Sequence, residues 1–471
     1  MGARPRPRRR RRRGRVVPPG GGGRARRARR GRRAAPLPRS GRLRRPVHLR
    51  HRLRRQPELD GALRPVGLSP RVGGDAGVVR PATRGLASHG RGRGPGRPHG
   101  AGPARGVRAV TTEVRVGLDV TPLLGPPSGI RRVTADLVDA LPAVGGLEVS
   151  GWVLSARADR STLPPHLEVV HRRLPAAWVH RAWSRADLPP GRWVTGPVDV
   201  VHGTNYVVPP GSPALVTVQD LTPVRGGPGV GPGIRRLGRV LERAVRRGAW
   251  VHAPCRAVAA EAERLLGVAP ERVVVVPNAV GPLPPPDPDR GRRLAGRDTF
   301  VLALGETHPR KNLPLLARAL DHLPPEVGLV VAGPAGAGEG DLAASVARTG
   351  VAGRVTRLTG IGDRDRVDLL GAARVLAFPS RDEGYGLPPL EAVWLGRPVV
   401  ATAVGALPEL VGDRGVALVP PGDDDAFVAA LAAAVSDPVA PPDEAVAAVR
   451  RLRPDLVAGE LADAYRRVAR R

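Results

Sequence analysis

Phe300-Val301-Leu302-Ala303-Leu304-Gly305-Glu306-Thr307-His308-Pro309-Arg310-Lys311-Asn312 reads as a buried strand, a glycine turn and a cationic helix start. A continuous apolar run of five residues suits a parallel strand covered on both faces. The pattern recurs downstream, with strands predicted at Gly328–Ala332, 354–358, Val375–Phe378, 398–401 and 416–418. Helices fit between them at about 312–321, 364–373, 388–396 and 424–435, and a last one at 455–468. Strands alternating with helices predict a doubly wound parallel sheet over 298–471.

Upstream, a first domain of the same kind is expected over 113–280. Val114, Val116, Leu118 and Val120 alternate as in a strand, Gly125 to Gly129 forms a loop, and Val133, Leu137 and Leu141 are spaced as in a helix. Apolar runs follow at 152–154, 198–201, 215–218 and 250–252, with a helix over about 234–247 and four valines at 273–276. The proline-rich stretch 281–297 predicts a linker.

Residues 1–112 are of another kind. The formal net charge of +34 is concentrated there, because residues 1–110 hold 33 arginines and three acids. The rest of the chain carries 43 basic and 39 acidic side chains. A low-complexity Arg/Gly/Pro/Ala stretch buries too little apolar surface to offset its ordering entropy. It is expected to be disordered or a mis-assigned start. A nucleic-acid- or anionic-surface-binding tail is the alternative function. Aromatic residues make up 3% of the chain, with no interleaving of Arg and aromatics, so a base-stacking surface is not expected. Cys255 is the single cysteine, which excludes an intramolecular disulfide and fits a reducing cytoplasm. Peripheral contact at the inner face of the membrane stays open.

Three clusters follow predicted strands of the second domain, where open α/β sheets bind ligands. The first holds Gly305, Arg310 and Lys311. Lys311 is the only lysine among 76 basic residues, so an ammonium is specifically retained where the composition supplies arginine. Two adjacent cations at a helix start suit a diphosphate. The second runs from Glu383 through Gly384, Tyr385, Gly386 and Leu387 to Glu391: two carboxylates separated by a glycine loop at a helix N-terminus. The third is Gly405 to Leu410. Asp423-Asp424-Asp425 reads as helix capping rather than a metal site.

Together, Arg310-Lys311-Asn312, Glu383 with Glu391 eight residues on, and Gly405 with Pro408-Glu409-Leu410 resemble family 4 of the retaining GT-B glycosyltransferases, bacterial group 1 type. The resemblance covers roughly residues 114–465. It implies two Rossmann-like domains facing a cleft, with a nucleotide diphosphate sugar held mainly by the second. With the acidic run read as capping and no ligand-like spacing of histidines, no metal or other cofactor is expected. The resemblance implies that Arg310 and Lys311 neutralise the donor diphosphate, that Glu383 contacts the transferred sugar, that Gly384, Tyr385, Gly386 and Leu387 line the donor pocket, and that Glu391 binds the ribose. In the first domain it places Gly129, His202, Gln219 and Asp220 at the cleft, with Gln219 where many relatives carry histidine. Ala279 replaces a glycine of the family's Val-Pro-Asn-Gly run, and would be strained if that site needs positive φ. A glycan, lipid-linked or small-molecule acceptor is implied. A dinucleotide oxidoreductase would need a G-x-G-x-x-G spacing that Gly125 to Gly129 lacks.

Overall fold

The computed structural model describes residues 113–227, 230–412 and 416–470; the expectations for 1–112 lie outside them. The first sheet contains β1 (Val114–Asp119), β2 (Leu147–Leu154), β3 (Val169–Arg172), β4 (Val200–Gly203), β5 (Ala214–Thr217), β6 (Trp250–Ala253) and β7 (Val273–Val275). They lie in the order β3-β2-β1-β4-β5-β6-β7, every pair parallel. The second sheet contains β8 (Phe300–Leu304), β9 (Gly328–Ala332), β10 (Val355–Leu358), β11 (Val375–Phe378), β12 (Val399–Thr402) and β13 (Ala417–Val419). Its order is β10-β9-β8-β11-β12-β13, again all parallel. Both are doubly wound. The order reverses between β1 and β4 in one sheet and between β8 and β11 in the other, and ligands bind at such reversals.

Burial accounts for the strands. β4, β5, β6, β8, β9, β11 and β12 are buried at every residue, as parallel strands covered by helices must be. β3 was not predicted: an edge strand, partly exposed at every residue, it lacks an apolar run. Within 281–297 the chain is not a plain linker. Asp287 accepts the Arg290 N–H at 3.0 Å and caps a helix at Pro288–Ala295. Gly291 of that helix lies so close to Asp368 that a Cβ would sit 2.1 Å from its carbonyl oxygen, so the segment is packed on Asp363–Ala372.

The closing helix, Pro454–Ala469, returns to the first domain, with Val457, Leu461, Tyr465 and Val468 in the same apolar cluster as Val116 and Leu118 of β1. It also corrects the expectation for His202. That imidazole is fully buried and does not face the cleft. The Tyr465 hydroxyl donates to His202 Nδ1 at 2.7 Å, and His202 Nε2–H donates to Thr217 Oγ1 at 2.7 Å. Thr217 then donates to His252 Nδ1 at 2.8 Å, and His252 Nε2–H donates to the Val276 carbonyl at 2.8 Å. With both rings neutral, this direction of donation satisfies every group. Burial agrees: it lowers His252 to about 4 and His202 well below its ordinary value. Tyr465→Phe leaves His202 Nδ1 without a donor, and is expected to cost about 1–3 kcal/mol in urea unfolding. An unchanged midpoint would show that the chain of hydrogen bonds contributes nothing.

Candidate active site at the carboxyl ends of the second sheet

β8 and β11 flank the reversal of the second sheet, and their carboxyl ends deliver the first two clusters to one place. After Leu304, Gly305 turns back at φ +132°, a conformation that favours glycine. The helix predicted from residue 312 starts later. Pro309–Lys311 forms a 3-10 turn, Asn312 adopts φ +51°, and the helix proper is Pro314–Ala319. Arg310 and Lys311 therefore sit on a tight turn rather than on a helix N-terminus. Proline at 309 and 314 sets that break, because each removes an amide donor.

The turn aims both cations at one carboxylate. Lys311 Nζ lies 2.5 Å from Glu383 Oε1, and Arg310 Nη1 lies 2.8 Å from the same oxygen. Arg310 Nη1 also donates to the Asp382 carbonyl at 3.0 Å. The ammonium stands 4.7 Å from the centre of the Phe378 ring at the end of β11, a cation–π distance. Burial alone would raise the Glu383 carboxyl, but the Lys311 and Arg310 charges outweigh it and hold the group below its ordinary value. A solvated basic turn would show none of this. Two cations so placed can also take a share of an entering anion's charge.

The first domain grips the same loop. A Cβ on residue 384 would fall 1.7 Å from the Gln219 carbonyl oxygen, so only glycine fits at 384. The Gln219 side chain accepts from Asn278 Nδ2 at 2.8 Å, which ties it to the end of the first domain. The buried Tyr385 hydroxyl donates to the Asn278 carbonyl at 2.7 Å, so Tyr385 clamps the two domains rather than lining an open pocket. Asp220 accepts from Thr222 N–H at 2.8 Å and adds to the field that raises Arg310. Arg225 pairs with Asp382 at 2.6 Å, and Glu409 of the third cluster accepts the Arg256 N–H at 2.9 Å. Cys255 precedes the helix Arg256–Leu266 and its Sγ–H reaches the Gly384 carbonyl at 3.3 Å. Ala279 is not strained, because Tyr206 and Asn312 alone among described non-glycine residues have positive φ. Asp423 caps Asp424–Ser436 by accepting from Ala426 N–H, as the sequence suggests.

Glu391 occupies a second place. Gly386, at φ +89°, caps the helix Leu387–Trp394. One turn into it, the buried Glu391 carboxylate is paired with Arg132 of the first domain and Arg366 of the second. These three line a cleft of about 260 Å³ with Leu387, Asp136 and Gly281. Gly129 abuts it: a Cβ there would stand 3.1 Å from Leu387 Cδ1. The predicted residues thus form two linked groups, one around Glu383 and one around Glu391, on a single loop and helix. Arg366 and Asp136 were not singled out from the sequence, where nothing separates one arginine from 74 others. A larger cavity, about 660 Å³, opens at the amino ends of β5 and β6, away from both groups. Among the described residues no three His, Cys, Asp or Glu side chains gather as metal ligands would.

At the reversal of the first sheet, burial pushes the Asp119 carboxyl at the end of β1 up to about 7. Its native pKa is raised, so folding holds a proton that the unfolded chain releases, and stability falls as pH rises from about 4 to 7. Asp119→Asn is expected to remove that fall and to gain roughly 2–4 kcal/mol at pH 8 but little at pH 4. Unfolding curves at the two pH values check this, and an equal effect at both would contradict the raised value.

Residues 127–282 match the family described as Glycosyltransferase Family 4, and residues 298–437 match Glycosyl transferases group 1. The chain is 31% identical over 323 residues to D-inositol 3-phosphate glycosyltransferase of Xylanimonas cellulosilytica, across 64% of this chain and 76% of that one. It is 37% identical over 142 residues to O-antigen chain mannosyltransferase B of Escherichia coli, but spans 29% of this chain and only 37% of that relative's length. Sucrose-phosphate synthase of Thermosynechococcus elongatus superposes with a TM-score of 0.62 at 20% identity, covering 75% of this chain and 99% of that one. Two parallel doubly wound sheets joined across a clamped loop, with both halves matched in sequence, make this chain a member of the family 4, group 1 glycosyltransferases, with the GT-B fold.

Proposed function

We propose that this glycosyltransferase moves a hexose, mannose-like or glucose-like, from a nucleotide diphosphate sugar to a glycan, lipid-linked or small-molecule acceptor with retention of configuration. The observation that carries the reading is the convergence of Lys311 and Arg310 on the buried Glu383 beside the Gly384 backbone. In this reading Lys311 and Arg310, held in place by Glu383, face the donor diphosphate, and the Glu383 carboxylate also accepts hydroxyls of the transferred sugar. Gly305, Gly384, Gly386 and Leu387 form the walls, and Glu391 meets the ribose from the neighbouring cleft.

The bond from the anomeric carbon to the phosphate oxygen breaks and the acceptor oxygen bonds to the same carbon. The acceptor proton passes to the departing phosphate, so Gln219 need not act as a base. Negative charge grows on the diphosphate, and fixed cations already aimed there lower the barrier. No step calls on a metal. The names of the two sequence relatives, a mannosyltransferase and an inositol phosphate glycosyltransferase, favour a hexose and leave the acceptor class broad.

A thermal-shift screen of nucleotide sugars identifies the donor, and NMR of the anomeric proton in donor and product tests the stereochemistry. A product with the donor's configuration is expected. Inversion would overturn the mechanism while leaving the donor site intact.

A further inference from the structure

Tyrosine is scarce in this chain: there are three, against 61 glycines. Two of the three hydroxyls already have a use, Tyr385 in the domain clamp and Tyr465 in the hydrogen-bond chain through His202. The third, Tyr206, follows the carboxyl end of β4, beside the reversal of the first sheet. Its backbone has φ +62°, a left-handed conformation that strains a bulky residue and suits glycine. A turn alone would therefore carry glycine, which this composition supplies freely. It is the side chain that is retained.

The surrounding turn is fixed on both sides. Thr204 Oγ1 donates to the Asp119 carbonyl at the end of β1 at 2.9 Å, and the Tyr206 N–H donates to the Thr217 carbonyl at the end of β5 at 3.0 Å. A Cβ on Gly203 would fall 1.8 Å from the Val207 carbonyl oxygen, so the chain doubles back tightly. The ring is buried, and its hydroxyl meets Asp220 twice. It accepts the Asp220 N–H at 3.2 Å and donates to the carboxylate of the same residue. Burial and then the Asp220 charge hold the phenol well above its ordinary value, so its proton stays available to that carboxylate. Asp220 acts in turn across the domain boundary. Burial opposes the Arg310 charge, but Glu383 and then Asp220 outweigh it, and the Arg310 charge reaches the Tyr206 phenol.

We infer that Tyr206 is a positioning residue for the transfer: its hydroxyl orients Asp220, and Asp220, carried by the first domain, aligns Arg310 on the second. The inference rests on the reading of Arg310 as a partner of the donor diphosphate. Glu383 and the Asp382 carbonyl hold the guanidinium within the second domain, so the Asp220 charge acts on it only while the domains are clamped. A guanidinium held by anions of both domains is less free to follow the ground-state diphosphate. Charge preorganised in this way favours the transition state over the ground state. Asp220 itself opposes the binding of an anion, which gives the test its sign.

Turnover and diphosphate affinity are therefore expected to part company in variants of the full chain. Tyr206→Phe keeps the ring and the turn and removes the hydroxyl, and Asp220→Asn removes the charge at nearly constant size. Each is expected to lower kcat by about tenfold or more, the worth of a hydrogen bond to a charged group, with the donor that the nucleotide-sugar screen selects. Calorimetry with uridine and guanosine diphosphates should show affinity unchanged in Tyr206→Phe, and unchanged or tighter in Asp220→Asn. The double variant should fall no further than Asp220→Asn alone, because the hydroxyl acts through that carboxylate. Losses that multiply in the double variant would overturn the inference, and so would a kcat loss matched by an equal loss of affinity, the mark of a loosened fold. If Tyr206→Phe does not fold, Asp220→Asn with the circular dichroism of the parent carries the same split between kcat and affinity. A parent that binds neither diphosphate removes the donor reading and the inference with it. A parent that binds one of them, with turnover unmoved in both variants, overturns the inference alone.

Discussion

Lys311→Ala is expected to lower turnover by about a hundredfold or more while leaving the fold intact. The fold survives because Arg310 Nη1 remains 2.8 Å from Glu383, so the buried carboxylate keeps a cation. Removing Lys311 therefore leaves no uncompensated buried charge of the kind that unfolds proteins. What is lost is a donor fixed in advance by Glu383 and the Phe378 ring, and such preorganised contacts act in the transition state. Steady-state transfer at saturating donor, with circular dichroism of the same preparation, measures both halves. Full activity would remove the ammonium from the chemistry, whatever its isolation in the composition suggests.

Gly384→Ala is expected to do comparable damage by a different route. Its Cβ would be placed 1.7 Å from the Gln219 carbonyl oxygen, inside any tolerable contact, and the obstacle is backbone rather than a side chain that can swing away. Neither sheet contains this residue, so the clash is relieved by moving the loop or parting the domains. Parting them breaks the Tyr385–Asn278, Arg225–Asp382 and Arg256–Glu409 contacts together. A larger radius of gyration in small-angle scattering and loss of transfer of about a hundredfold are expected, because sites assembled by closure lose rate steeply when misplaced. Gly340→Ala, where a Cβ meets nothing within 4 Å, serves as the control. A Gly384→Ala enzyme as active and compact as the parent would show that the closed arrangement is not the working one.

The second sheet was legible because parallel strands buried on both faces leave apolar runs in the sequence itself. β8, β9 and β11 fall where the runs predict. β3 and the helix at Pro288–Ala295 were not legible, because an edge strand alternates weakly and a proline-rich start resembles a linker. Lys311 stood out because the composition otherwise lacks lysine, and its partner Glu383 stood out by the glycines around it. His202 was misplaced for a physical reason. A histidine at a strand end looks the same in sequence whether it faces a cleft or is satisfied by Tyr465, a residue 263 positions away. Arg366 and Asp136 were invisible for the same cause, since their meaning comes from Glu391 across the fold.

The most direct test is calorimetric: the affinities of a nucleoside diphosphate and the matching monophosphate, each for the parent and for Lys311→Ala. Taking the ratio within each protein cancels any general effect of the substitution on the pocket. If Lys311 and Arg310 face the diphosphate, the second phosphate tightens binding strongly in the parent and much less in the variant. An equal preference for the diphosphate in both proteins would contradict that placement.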